Sequence, residues 1–184
     1  MQTSWQQFLE QQGATIQSDG RIEFEYAPAD LNSSPFISPL SDFTILEVSG
    51  NDRQAFLHGQ FINDLNTLGE SESQVSGWCN PKGQLISNML IINTGQSYLL
   101  LFKASLKEFV LKRLSMFVLR SDVSIKDLDG SYALIGLVHT DNNALSDEKH
   151  IIADWPVNDE RQIVLGPVES LIDKLGEAVN STPL

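Results

Sequence analysis

The stretch VSGWCNPKGQLISNMLIIN, residues 75–93, predicts two strands joined by a tight turn, and we place the other elements around this hairpin. The letters NPKG at 80–83 fit a type I turn, because Asn bonds back to the backbone, Pro presets φ and Gly is favoured at the end. Apolar residues follow on both faces of the second strand, which is typical of an interior strand. Within it, Ser87 and Asn88 place polar groups on opposite faces, where a buried group needs a partner from protein, water or a ligand.

Composition limits the class of protein. The chain has 184 residues, of which 41% are apolar and 20% charged, as is ordinary for a soluble globular protein. Asp and Glu number 24 against 12 Lys and Arg, which gives a net charge of -12 and a pI near 4.5. This charge argues against direct nucleic-acid binding and against binding to an anionic membrane.

The basic residues are concentrated in one segment. Residues 82–126 contain seven basic side chains and two acidic ones, so the segment carries +5 in an acidic chain. A local cationic segment favours a small anionic ligand over a polymer, although a solvated helix face explains several of these lysines equally well.

The cysteine and histidine content gives little sign of metal chemistry. Cys79 is the only cysteine, which excludes an intramolecular disulfide and favours a reducing compartment. We interpret it as a small buried core residue. His58, His139 and His150 lie far apart with no ligand spacing around them, so no metal site is expected. No secretory leader and no apolar run of about 18 residues is present, and we expect a cytoplasmic protein.

Hydrophobic periodicity predicts alternating helices and strands. Helices are expected near residues 3–12, 53–60, 105–117 and 168–175, with N-cap signals at Thr3 or Ser4, within the turn at 49–52 and at Ser105, where Glu108 completes a capping box. Strands are expected at 21–26, 43–48, 75–79, 85–93, 97–102, 118–128, 132–138, 151–152 and 161–165, with a loop at 27–40 and a hairpin turn at 129–130. We interpret the apolar stripe of the third helix, which includes Phe109 and Phe117, as core.

Common enzyme signatures are absent from the sequence: there is no phosphate loop, no GxGxxG, no HExxH and no GxSxG. Four short motifs in order, however, resemble YgfZ proteins, within the folate-binding superfamily of the glycine-cleavage T-protein. They are Arg53-x-x-Phe56-Leu57-x-Gly59-Gln60, Asn63-Asp64, Gly77-Trp78-Cys79-Asn80-Pro81-Lys82-Gly83, and Lys112-Arg113-Leu114-x-Met116-Phe117-Val118-Leu119-Arg120. The spacing holds from about residue 40 to 125, and RQIVLGP with its following helix resembles the family's next section.

The resemblance implies an α+β fold of two lobes of mainly antiparallel sheet packed with helices, as in the N-terminal part of T-protein-like folds. It also implies binding of tetrahydrofolate or a derivative, and a role in iron-sulfur cluster assembly or maintenance and thereby in tRNA modification. The implied partners are a reduced folate and iron-sulfur assembly or client proteins. The implied folate-binding residues are Asn63, Trp78, Lys82, Ser87, Asn88 and Arg120. Arg120 has a second interpretation, in which it pairs with Asp122 or Glu47.

Two departures from the family pattern limit these implications. The aminomethyltransferases carry two aspartates at the position of Ser87-Asn88, and an amide has no ionisable proton to exchange near neutral pH, so we expect a protein that is not a catalyst. The family's Lys-Gly-Cys-x-x-Gly-Gln-Glu signature is missing, and it belongs to a half that would follow Leu184 together with a C-terminal β-barrel. The chain therefore resembles the front portion of the family alone.

The expected organisation is a central-sheet lobe at 1–118 and a smaller α+β lobe at 119–184, with residues 21–40 able to pair with either sheet. Two alternatives to the folate-binding function stay open. One is a folate-dependent aminomethyltransferase-like enzyme. The other is a protein-interaction module that has lost folate binding.

Overall fold

A computed structural model of the chain describes residues 3–18, 20–25, 35–140, 145–155 and 161–181. The helices are α1 (Thr3–Gln11), α2 (Arg53–His58), α3 (Lys107–Val118) and α4 (Val168–Ser181), with short 3₁₀ turns at Leu65–Thr67 and Ala104–Leu106. The strands are β1 (Ala14–Ile16), β2 (Ile22–Phe24), β3 (Phe36–Pro39), β4 (Phe43–Ser49), β5 (Ser73–Cys79), β6 (Leu85–Asn93), β7 (Ser97–Lys103), β8 (Ser124–Asp127), β9 (Tyr132–Val138), β10 (Ile151–Asp154) and β11 (Arg161–Pro167). Among the described residues, no helix has the length and apolar character needed to cross a membrane.

The chain divides into two compact units. The first unit combines Met1–Ser41 with Asp129–Leu184, and the second unit is the continuous segment Asp42–Leu128. Both contain antiparallel sheets with helices, so the predicted α+β class is confirmed.

The second unit is built on a five-stranded antiparallel sheet in the order β5-β6-β7-β4-β8. The predicted hairpin is confirmed: the Gly83 amide donates to the Asn80 carbonyl at 2.9 Å, and the Asn80 side-chain oxygen accepts from the Lys82 amide at 2.9 Å. β6 pairs with β5 on one side and β7 on the other, as expected for an interior strand.

One face of this sheet is covered by helices. Val110 and Leu114 of α3, and Phe56 and Leu57 of α2, pack in one core with Trp78. The same core contains Leu46, Val48, Met89, Ile91, Leu100 and Phe102 from the strands. Burial of this apolar area is the main force that holds α2 and α3 on the sheet.

The first unit contains a four-stranded sheet in the order β10-β11-β9-β3 and a separate β1-β2 hairpin. α1 presents Trp5 and Leu9 to a core that includes Val164, Leu171 and Leu175. Gly13 follows α1 with φ +88°, a conformation that glycine adopts without steric cost, and the helix ends as the sequence predicts.

Long-range pairing changes the predicted lobe boundaries. β8 pairs with β4, with Leu46 opposite Asp127, so residues 119–128 belong to the second unit and the boundary predicted after residue 118 moves to 128. Residues 1–41, which we predicted in the central-sheet lobe, belong to the first unit together with residues 129–184. The turn at 129–130 therefore connects two different sheets, and the predicted hairpin there is wrong.

Residues 27–40 are not only the predicted loop. Phe36–Pro39 forms β3, which pairs with β9 by placing Phe36 opposite Val138, whereas residues 26–34 lie outside the described residues. The prediction was wrong because the prolines of this segment favour a loop. Pro39 occupies the last position of β3, a strand at the sheet edge, where a missing amide donor is tolerated.

The predicted side-chain caps are replaced by other contacts. The Ser4 hydroxyl donates to the Glu169 carboxylate at 2.7 Å. The Asp52 carboxylate accepts from the Asp122 amide at 2.8 Å instead of capping α2. Ser105 lies inside the 3₁₀ turn before α3, whose first residue is Lys107. The helices thus begin near the predicted positions, but Ser4 and Asp52 form tertiary hydrogen bonds instead of capping them.

Candidate functional site

Ser87 and Asn88 occupy different environments on β6. Ser87 is 4% exposed, and its hydroxyl donates to the Asn88 carbonyl at 2.9 Å, so its polar group is satisfied within the strand. Asn88 is exposed, and because successive strand residues point to opposite faces, its amide lies on the face opposite Ser87. Asn88 is therefore the member of this pair that is available to a ligand.

Gly77 lies directly opposite Asn88 on β5 and permits a close approach. A Cβ built on Gly77 would lie 2.9 Å from Cδ1 of Ile62 and 2.9 Å from Cδ1 of Leu85. Those two side chains are 66% and 61% exposed. We call Ile62, Gly77, Leu85 and Asn88 the Gly77 surface: two accessible apolar side chains beside an accessible amide.

Lys82 lies in the turn next to this surface, whereas Asn63 follows Ile62 but bonds to Ser76, whose side chain lies on the opposite face of β5. Lys82 is exposed in the turn of the β5-β6 hairpin. Asn63 follows Ile62 in the chain, and its side-chain oxygen accepts from the Ser76 hydroxyl at 3.0 Å. The Ile62 amide donates to the Gly77 carbonyl at 3.0 Å, which fixes this segment along the edge of β5.

Trp78 lies on the helix-covered side of the sheet. It is 3% exposed, and its ring contacts Phe109 of α3 with centroids 6.3 Å apart. It pairs with Ser87 in the strand register, which places both side chains on the face opposite Asn88. The structure thus separates Trp78 and Ser87 from the exposed Asn88.

Arg120 is separated from the Gly77 surface as well. It follows α3, and it lines an open depression of about 670 Å³ together with Asp52, Phe117, Leu119 and Ser121. α3 packs on the sheet face that carries Trp78. Of the six predicted binding residues, Asn88 thus lies on the Gly77 surface and Lys82 lies in the adjacent turn. The side chains of Asn63, Trp78, Ser87 and Arg120 lie elsewhere.

The basic segment is partly neutralised. Lys103 pairs with Asp42, with Nζ to Oδ2 at 2.6 Å, and Lys107 pairs with Asp127, with Nζ to Oδ2 at 3.0 Å. Within the described part of the chain Arg120 forms no ion pair. The two proposed partners bond elsewhere: the Asp122 carboxylate accepts from the Asn51 amide at 2.6 Å, and the Glu47 carboxylate accepts from the Ser97 hydroxyl at 3.0 Å.

The remaining candidate groups are Cys79 and the histidines. Cys79 is a free thiol of intermediate burial and not the buried core residue that we predicted. It is the last residue of β5, next to a register shift that disrupts the ladder. No group of three His, Cys, Asp or Glu side chains in the described ranges is placed to hold a metal ion. His58 Nδ1 lies 3.4 Å from Asp64, and His150 is 8% exposed with Nδ1 2.8 Å from the Leu145 carbonyl.

Sequence reasoning missed Ile62, Gly77 and Leu85. The available signal was Gly77, since a glycine inside a strand often marks close approach by another group. The sequence gives no sign that Ile62 and Leu85 are exposed, because hydrophobic side chains usually pack inside. The position of Ile62 beside β5 depends on hydrogen bonds between Asn63 and Ser76, which no local pattern encodes.

The fold is that of the glycine-cleavage T-protein class. The aminomethyltransferase T of the glycine cleavage system from Bartonella henselae superposes with a TM-score of 0.75 over 92% of this chain and 55% of that one, at 14% sequence identity. At that identity the likeness describes the fold alone. No protein-family model matches the chain.

The predicted resemblance to YgfZ is confirmed by sequence. The tRNA-modifying protein YgfZ of Colwellia psychrerythraea is 33% identical over 103 residues, which is 55% of this chain and 32% of that protein. The protein of the same name from Aliivibrio fischeri is 30% identical over 116 residues, 59% of this chain and 36% of that protein. The chain thus matches about a third of the length of these relatives.

Proposed function

We propose that this chain is a YgfZ-like folate-binding protein that acts in iron-sulfur cluster assembly or maintenance in the cytoplasm, and thereby in tRNA modification. Its relatives are named tRNA-modifying proteins, and its fold is that of a T-protein. The proposed ligand is tetrahydrofolate or a derivative. Iron-sulfur assembly or client proteins are the proposed partners.

The observation that carries the folate proposal is the Gly77 surface. A pterin is a flat ring system with hydrogen-bond donors and acceptors along its edge. Ile62 and Leu85 offer apolar contact to the ring face, and the Asn88 amide offers both a donor and an acceptor to its edge. The combination of apolar lining with one directional polar group is typical of small-molecule sites. Lys82 supplies a positive charge for the anionic glutamate part of the ligand.

The same surface supports binding without catalysis. A general acid or base needs a group that exchanges a proton near the working pH, and a side-chain amide has none. The Ser87 hydroxyl is buried and donates to a backbone carbonyl. Neither residue at the position of the T-protein aspartates therefore presents an ionisable group to the Gly77 surface.

Isothermal titration calorimetry with 5-formyltetrahydrofolate, a chemically stable reduced folate, tests the proposal. Calorimetry is preferable to tryptophan fluorescence, because Trp78 is buried on the other face of the sheet. Asn88→Ala should weaken binding about tenfold, the equivalent of one hydrogen bond of about 1.4 kcal/mol. Gln96→Ala removes an exposed amide beyond the other end of β6 and should bind like the native chain.

Equal affinity of Asn88→Ala and the native chain would contradict the proposed site. Absence of any heat of binding to a folded chain would contradict folate binding by these residues. Formation of methylenetetrahydrofolate from tetrahydrofolate and an aminomethyl donor would overturn the non-catalytic part of the proposal and favour the aminomethyltransferase alternative.

A further inference from the structure

The outer side of α3 exposes large apolar side chains. Phe109 is 50% exposed, Met116 62% and Phe117 44%, and Leu119, directly after the helix, is 86% exposed. Phe109, Arg113, Met116 and Phe117 recur at helical spacing on one face of α3 over about two turns, and Arg120 follows the end of the helix at Val118. We call these five residues with Leu119 the α3 surface. The prediction that Phe109 and Phe117 belong to the core is thereby corrected, since Val110 and Leu114 fill it.

The α3 surface is cationic in an acidic protein. Residues 109–121 include Lys112, Arg113 and Arg120 and no acidic residue, whereas the chain carries -12. The Arg113 guanidinium lies 5.9 Å from the centroid of the Phe117 ring. Among the described residues, neither Lys112 nor Arg120 forms an ion pair. The positive charge of this surface is therefore available to a partner.

Leu119, at the end of the α3 surface, has an unusual backbone conformation. Leu119 has φ +47° and ψ -105°, a region that side chains other than glycine rarely adopt. Its exposed side chain lines the open depression of about 670 Å³ with Phe117, Arg120, Ser121 and Asp52, whose carboxylate is the one acidic group of this lining. A strained residue whose side chain packs so little within its own fold is typical of a position that serves recognition.

We propose that the α3 surface is a docking site for an acidic amphipathic helix of another protein. Phe109, Met116 and Phe117 offer apolar contacts along the axis of α3, and the depression beside Leu119 receives an anchor side chain. Arg113 and Arg120 pair with Asp or Glu residues that flank the partner's apolar stripe. This is helix-in-groove recognition, with anchors spaced by three or four residues and charges that set orientation. The proposal does not rest on folate binding.

The positive charge of the α3 surface favours an acidic helix over a second copy of the chain and over an anionic lipid surface. A symmetric dimer through the α3 surface would place the same patch of each copy face to face. Arg113 and Arg120 of one copy would then lie near the same basic side chains of the other, and the two chains, each of charge -12, would repel each other as well. An anionic lipid surface would attract three basic side chains and repel the rest of the chain. An acidic helix contacts the cationic stripe locally and leaves the acidic remainder of the chain outside the interface.

The test is a selection from a displayed library of helical peptides of about 18 residues, five turns, against the immobilised 184-residue chain. Apolar anchors are fixed at positions i, i+4 and i+7, and all other positions are random. We expect the selected peptides to be enriched in Asp and Glu beside the anchors. Selection against the double variant Arg113→Glu with Arg120→Glu should enrich Lys and Arg instead.

Affinities of one selected peptide, measured by fluorescence anisotropy, locate its binding site. Met116→Ser with Phe117→Ser should weaken binding about tenfold or more, as is usual for central apolar anchors. The matched control is Ile62→Ser with Leu85→Ser, which removes two similarly exposed apolar side chains from the Gly77 surface. Lys149→Glu is the control for charge reversal. Circular dichroism verifies that each variant is folded.

Peptides without acidic enrichment, or equal affinity of the native chain and the Met116-Phe117 variant, would overturn the proposal. Concentration-dependent dimerisation that the Met116-Phe117 variant abolishes, measured by sedimentation, would assign the α3 surface to a second copy instead. Binding to phosphatidylglycerol vesicles that the same variant abolishes would assign it to a membrane. Selected acidic peptides that lose affinity on both α3 double variants and on neither control would support it.

Discussion

Leu119→Gly should stabilise the protein while weakening the proposed docking site. The Leu119 backbone, with φ +47° and ψ -105°, is strained for any residue with a Cβ atom and unstrained for glycine. The side chain is 86% exposed, so its removal sacrifices little packing. The substitution thus separates backbone strain from side-chain contacts.

The expected gain follows from two opposing free energies. A residue held in such a region costs about 1–3 kcal/mol. Glycine loses more chain entropy on folding, which offsets the gain by about 0.5–1 kcal/mol. The net stabilisation is about 1 kcal/mol, equivalent to about 2–4 °C in Tm for a chain of this size.

Urea unfolding followed by circular dichroism measures the difference, with Leu119→Ala as the control. Alanine also removes the side chain beyond Cβ but keeps the Cβ atom that causes the strain, so it should be no more stable than the native chain. If the glycine and alanine variants have the same free energy of unfolding, then Leu119 is not strained and the reasoning is refuted. Both variants should bind the selected acidic peptide more weakly, because both lack the Leu119 side chain.

Two further predictions concern the second unit. The Arg53 guanidinium donates to the Gly50 carbonyl at 3.0 Å and to the Gly95 carbonyl at 2.7 Å, so Arg53→Ala should lower the free energy of unfolding by about 3 kcal/mol. Chemical denaturation checks this, and a loss no larger than that of the exposed Lys149→Ala would contradict it. Burial raises the pKa of Tyr98 above its usual value near 10, so the folded chain retains this proton longer than the unfolded chain. Stability should therefore fall as pH rises above about 10, and Tyr98→Phe should show a shallower loss in pH-dependent urea unfolding; identical slopes would argue against a role for Tyr98.

Arg53 also shows that a residue of a sequence motif can stabilise the fold instead of contacting a ligand. It belongs to one of the four motifs that resemble YgfZ, and a charged side chain in such a motif suggests a ligand contact. Its hydrogen bonds instead connect the turn at Gly50 with the turn at Gly95, so it stabilises two loops that lie apart in sequence. A motif thus indicated the resemblance to YgfZ without revealing the role of each residue.

Local chemistry determined the elements that the sequence predicted well. The turn at 80–83 depends on the Asn80 side chain and on glycine at Gly83, all within four residues. α1 and α4 follow from helical spacing of apolar residues, and the strands β4 and β7 from short apolar runs bounded by turns. The fold class and the YgfZ resemblance followed from such local features taken in order.

Tertiary structure alone decided which residues share a surface. Whether β8 pairs with β4 or with a later strand depends on residues about 80 positions apart, and the unit boundary follows from that choice. The packing of α3 decided that Val110 and Leu114 are buried while Phe109 and Phe117 are exposed, although all four are apolar. Alternation on β5 and β6 separated Trp78 and Ser87 from Asn88. The physical reason is that the hydrophobic effect favours burial of any apolar side chain. Which face of a helix or strand is buried depends on contacts between segments that are distant in sequence.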